Sequence, residues 1–188
     1  MNLENESIAF EQRLCHCVTS IRQYLIIYGG RFVYYSINTC NELWIYDTIN
    51  GICRKYPAPD RTRETNSDSS ICTAGNKVYI FGSLGAPLAD GTTYSLVSFD
   101  ISNFSWQDLT LSIDDDDQQY SPPQMFQRLL FYHDEHLYVL GTIRGVTGEY
   151  FGSMYKFSLQ TNIWFSVEQN EPKPVFFNQI IGTVFNNK

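Results

Sequence analysis

Four sets of residues in this 188-residue chain have types and spacings that can do chemistry. Cys15-His16-Cys17 offers two thiols and an imidazole in consecutive positions. Alternate residues of a strand share a face, so both thiols are expected on one side and His16 on the other. A zinc site needs four ligands, yet Cys40, Cys53 and Cys72 lie at unrelated spacings with no Cys-x-x-Cys. The competing reading is that these are small buried hydrophobes. Asp114 to Asp117 lines up carboxylates that calcium takes, but without the alternation, central Gly and terminal Glu of an EF-hand loop. A solvated loop is the simpler reading. The only histidines are His16, His133 and His136, with no Gly-x-Ser-x-Gly elbow and no Gly-rich loop entering a helix. The expectation is a protein that is not an enzyme, with no catalytic residue, metal or cofactor to assign. The fourth set is Arg13, Arg31, Arg128 and Arg144, whose guanidinium groups suit bidentate, charge-assisted bonds to carboxylates.

Composition narrows the partners and the compartment. Charged residues are 18% and hydrophobic residues 43%, a globular balance rather than a disordered one. A net charge of −7 without a dense Lys/Arg run argues against nucleic acid. No stretch approaches the roughly 20 apolar residues of a membrane span, so no membrane partner is expected. The opening MNLENESIAFEQR carries acids where a signal peptide carries bases. Five cysteines, an odd number, fit a reducing compartment, and the expected location is cytoplasmic or nuclear.

The elements that must position these residues repeat along the chain. An apolar strand closes on glycine at 29, 82 and 141, intervals of 53 and 59 residues. A polar loop follows, then a strand ending on an aromatic, then a turn and a short strand. From Tyr46 to Cys53, Phe99 to Trp106 and Phe157 to Trp164 the separation is seven each time. A constant seven beside variable loops reads as a fixed hairpin with free outer loops. Asn50-Gly51 has the hairpin chemistry, since both residue types tolerate positive φ. Each copy therefore reads as a four-stranded antiparallel sheet: about 14–57, about 69–109 and about 127–167, with a further copy beginning at 179–188.

Glycine after an apolar strand, an aromatic, and Trp seven residues on, at about 50 residues per copy, resembles the kelch repeat. Gly29-Gly30 is a true pair, while Gly82-Ser83, Gly141-Thr142 and Cys53 depart from the pattern. The resemblance implies an all-β fold: an incomplete kelch β-propeller of three four-stranded blades plus the first strand of a fourth. RLCHCV, LIIYGG and NELWIY of the first copy, Gly85-Ala-Pro-Leu88, and Gly152-Ser-Met-Tyr-Lys156 further resemble the substrate receptors of cullin-2 ubiquitin ligases within that family. This implies a protein-protein interaction module that binds C-terminal degrons, with protein or peptide C-termini and the cullin-2/elongin complex as partners. The elongin-binding box of such receptors is not visible in these residues. Loops at one propeller face then line the partner site, so Arg13, Arg31, Arg128 and Arg144 would take carboxylates, and Tyr34, Tyr35 and Tyr150 would supply apolar walls. Surface arginine facing solvent is the alternative for each. Other kelch-like propellers are oxidases or sugar epimerases, a second functional alternative. A third is a truncated copy, or one that closes with another chain, because three blades fall short of the four to eight of known propellers.

Overall fold

The computed structural model describes residues 12–32, 40–62, 69–83, 94–110, 122–168 and 175–176. Three four-stranded antiparallel sheets occupy them. The first comprises β1 (Cys17–Ile21), β2 (Tyr24–Tyr28), β3 (Glu42–Asp47) and β4 (Cys53–Pro57). The second comprises β5 (Ser70–Ala74), β6 (Lys77–Ser83), β7 (Tyr94–Asp100) and β8 (Ser105–Asp108). The third comprises β9 (Phe126–His133), β10 (His136–Arg144), β11 (Tyr150–Ser158) and β12 (Trp164–Ser166). Strands follow chain order within each sheet. The expected all-β blade architecture is therefore present. The expected opening strand at 179–188 lies outside the described residues.

The constant interval of seven has a direct structural meaning. Tyr46 pairs with Cys53, Phe99 with Trp106 and Phe157 with Trp164, each directly across a hairpin. The three turns are superposable in their bonding. The amides of Gly51, Phe104 and Asn162 each donate at 2.8 Å to the carbonyl four residues back, at Asp47, Asp100 and Ser158. In each turn that fifth residue has positive φ: 69° at Gly51, 57° at Phe104 and 58° at Asn162. Glycine is the relaxed choice there, and Phe104 occupies it at a steric cost.

The closing glycines answer a second need. A Cβ on Gly30 would stand 2.7 Å from the Leu14 carbonyl oxygen, and one on Gly141 would stand 3.1 Å from the Phe126 carbonyl oxygen. The chain entering the first and the third blade crosses the end of the second strand at backbone contact, which leaves no room for a side chain. At Gly141 the crossing also shifts the register between Leu140 and Thr142.

Packing between sheets sets the order of the blades. Side chains alternate across a strand, and in the middle sheet both faces are apolar. Val78, Ile80, Val97 and Phe99 join Ile26, Tyr28, Leu43 and Ile45 in one core between the first and second sheets. Tyr79, Phe81, Tyr94 and Leu96 join Leu130, Leu137, Val139, Phe157 and Trp164 in another between the second and third. This is why Tyr94 to Phe99 is buried without interruption, where a half-exposed strand would alternate. Trp164 locks the second core. Its Nε1 donates to the Tyr94 hydroxyl at 3.0 Å, and its ring meets Phe81 edge-on at 5.9 Å. Replacing Tyr94 with Phe leaves that buried N–H without its acceptor and is expected to cost about 1–2 kcal/mol. Urea unfolding of Tyr94→Phe against the parent chain measures it.

Candidate partner-binding face

Antiparallel order sends strands one and three in one direction and two and four in the other. Hence the entries at 13–16, 70 and 126–128, the exits from β2, β6 and β10, and the starts of β3, β7 and β11 all gather at one end of the blades. The opposite end carries only the tight turns of the first and last hairpins. All four arginines singled out by sequence lie at the end with the long connections. The innermost strands β1, β5 and β9 run side by side and enclose a groove of about 460 Å³ lined by Val18, Ser20, Cys72, Thr73, Phe131 and Tyr132. At its rim the Ser70 hydroxyl donates to the Arg128 carbonyl oxygen at 2.8 Å, tying the second sheet to the third.

The arginines differ in what they can offer. Arg13 does not face a partner, contrary to expectation. It is 9% exposed, and its guanidinium lies 4.3 Å over the Trp44 ring, donating to Glu42 Oε2 at 3.5 Å and to the Gly29 carbonyl at 3.4 Å. A buried cation needs such an anion and π-face, so Arg13 serves the fold of the first sheet. Arg31 is half-buried, and its Nη2 reaches Cys15 Sγ at 3.4 Å. Arg128 is half-buried beside the groove, with Nη1 donating to the Met125 carbonyl. Arg144 is exposed at the end of β10. Tyr34 and Tyr35 lie outside the described residues.

The structure brings one expected pair together. Arg144 is the register partner of Tyr150 across β10 and β11, so both side chains leave the sheet on the same face. Tyr150 is 48% exposed. A short ordered turn carries them: the Gly145 amide donates to the Glu149 carbonyl at 2.8 Å, and the Thr147 hydroxyl donates to the Glu149 carboxylate. That bond holds the Glu149 carboxyl below the usual carboxylate range. Two residues that sequence reading passed over complete this tip, Val146, wholly exposed, and Phe151, 43% exposed. An apolar residue inside a Gly-rich turn was the available signal.

Cys15-His16-Cys17 behaves differently from the alternation expected of a strand. Cys15 precedes β1 with φ 58°, a left-handed residue that breaks the strand period. The two sulfurs part: Cys15 meets Arg31, whereas the Cys17 thiol points to the Tyr28 carbonyl at 3.6 Å. Burial pushes the Cys17 thiol from an ordinary 9.0 up to about 12, and the Arg128 charge offsets this only partly. Burial does the same to Cys72, up to about 12. Both are protonated, inert groups at neutral pH. Among the described residues no three His, Cys, Asp or Glu side chains converge as metal ligands. His16 sits at the connection-rich end, while His133 and His136 flank Tyr138 at the other. Asp114 to Asp117 lie outside the described residues.

Four-stranded blades set side by side around a groove, with irregular connections gathered at one end, define the blade architecture of a β-propeller. The chain belongs to the kelch-repeat family: the model of the KLHDC2/KLHL20/DRC7 Kelch-repeats domain matches residues 2–188. No curated protein sequence matches the chain significantly. Among solved structures it is similar to the one titled "Structure of YjhT", with a TM-score of 0.56 and 11% identity. That likeness covers 84% of this chain and 51% of the other, so the chain spans about half the length of the structure it matches. At such identity the shared property is the fold.

Cys17, Cys72 and Tyr79 all hold their protons more tightly folded than unfolded, through burial first. The stability they contribute is complete below pH 9 and is lost as pH climbs through about 12. The urea midpoint is therefore expected to fall between pH 8 and pH 11. A Cys17→Ala/Cys72→Ala variant is expected to show a shallower fall.

Proposed function

We propose that the connection-rich end of the blades captures the C-terminus of a partner protein, in the manner of the substrate-recognition propeller of a cullin-RING ubiquitin ligase. The observation that carries the reading is the exposed Arg144–Tyr150 pair, a carboxylate-binding cation beside an aromatic wall on one hairpin. Arg128, at the entry of the same blade, and Arg31, on the first blade, lie at the same end. Guanidinium beside tyrosine is the composition of interface hot spots. Kelch membership supports a protein partner, and the repeat residues resemble those of kelch domain-containing protein ten, a receptor for degrons ending in glycine. On this reading the protein is not an enzyme. It acts by binding in the cytosol or nucleus, and the cullin-2/elongin complex is its second partner.

The reading is tested with a labelled peptide ending in glycine, compared as free acid and as C-terminal amide by fluorescence anisotropy. The free acid is expected to bind at least about tenfold tighter, and Arg144→Ala to remove most of that difference. Equal binding of acid and amide would rule out the carboxylate as the recognised group.

A further inference from the structure

A recess of about 110 Å³ opens between the first and second blades, at the end opposite the long connections. Tyr24, Ile45, Ile52, Tyr56 and Phe104 wall it, and Arg54 lines it from β4. Ile45 and Arg54 are register partners, so both side chains leave the first blade toward the second. Phe104 comes from the turn of the second blade. Its ring stacks on Tyr56, with centres 5.4 Å apart and 4° between the planes. The Arg54 guanidinium lies 5.9 Å from the centre of the same Phe104 ring. Asp47, also at the recess, is engaged by its own turn: it accepts from the amides of Ile49 and Asn50 at 3.0 and 3.3 Å, and from Asn50 Nδ2 at 2.9 Å.

The repeat shows that the blade scaffold does not require these residues. In the same register, the junction between the second and third blades holds Lys77, Ser98, Ser105, Leu109 and Asn162 at the wall positions, with Gln107 in place of Arg54. There a polar pair takes over, Lys77 Nζ donating to Gln107 Oε1 at 3.5 Å. Phe104 carries a further cost. It takes φ 57° where the first blade has Gly51 and the third has Asn162, residue types that tolerate the left-handed region. Its burial is only partial, since 42% of it remains exposed. Backbone strain kept where the sister blades avoid it points to a functional position.

We propose that this recess binds one apolar side chain of a partner protein, while an acidic residue beside it in the partner pairs with Arg54. Size sets the first part. Pockets for whole small molecules run to about 300–1,000 Å³, so this one takes a single side chain. The rim sets the second. Ile49 and Ile52, on the turn that borders the recess, are 75% and 42% exposed, an apolar margin that a protein surface covers and a metabolite of that size does not. Charge sets the third. Arg54 is exposed, and its stacking on Phe104 holds the planar guanidinium ready for the fork of a carboxylate. A basic segment would meet that cation instead. The site lies at the other end of the blades from Arg144 and Tyr150, and does not depend on what they bind.

Peptide display on the full 188-residue chain tests the proposal, with random peptides held inside a carrier so that none offers a free C-terminus. Counter-selection uses Arg54→Gln, an exposed change to the residue of the next blade that leaves the fold intact. Enriched peptides are expected to share an apolar residue beside Asp or Glu. The best of them, made as a C-terminal amide and followed by fluorescence anisotropy, is expected to bind Arg54→Gln at least about tenfold more weakly than the parent. Phe104→Asn, which gives the turn the third blade's residue, is expected to weaken binding as much while the urea midpoint holds. Arg144→Ala is expected to change nothing, which separates this site from the carboxylate-binding end. No enrichment over Arg54→Gln, an enriched set that lacks the acid or is basic, or binding indifferent to Phe104→Asn would overturn the proposal.

Discussion

Every other feature of this protein depends on a sheet that is apolar on both sides. A four-stranded blade cannot satisfy such a sheet alone, because the hydrophobic gain of either face is realised only against another blade. The middle blade shows the condition met: Val78, Ile80, Val97 and Phe99 are covered from one side, and Tyr79, Phe81, Tyr94 and Leu96 from the other. The two cores differ in their fasteners. Between the first and second blades an aromatic cluster of Tyr56, Phe99, Phe104 and Trp106 does the joining. Between the second and third, a buried hydrogen bond from Trp164 to Tyr94 adds direction to the contact. Directional bonds in a dry junction fix the angle of one blade to the next as well as their adhesion.

That arrangement separates scaffold from surface. At one end the three outer hairpins repeat the same four-residue bond and the same left-handed residue, a geometry with little freedom to vary. At the other end the connections differ in length from blade to blade, which is where a rigid scaffold can carry recognition. The third blade's hairpin extends furthest in regular pairing, through Arg144 and Tyr150, and so presents its side chains from a strand end rather than from a loose loop.

Much of the chemistry that draws attention in the sequence is absorbed by the fold. Arg13 is spent between Trp44, Glu42 and a backbone carbonyl, and Lys55 approaches the Trp44 ring as well, at 4.2 Å. Cys17 and Cys72 are held as neutral thiols by burial. Sequence distance did not separate these from Arg144, because Arg13 and Arg144 occupy comparable places at strand ends. What separates them is the neighbour each finds. Trp44 and Glu42 come from a strand some thirty residues beyond Arg13, whereas Arg144 stands exposed at the end of β10.

The amino-acid sequence by itself determined the blade. The interval of seven is a local property, the pairing of two residues across six intervening ones, and local geometry reads directly from spacing. The closing glycines were legible for a similar reason, although their cause, the crossing of Leu14 over Gly30 and of Phe126 over Gly141, is a contact between segments. Tertiary structure alone decided which arginine is buried and which exposed, that Cys15 and Cys17 part company, and that Val146 and Phe151 stand at the tip of the connection-rich end. Each of those depends on a left-handed residue or on contacts between strands far apart in the chain. Burial and charge pairing are set by which blades meet, and no periodicity along one strand encodes that.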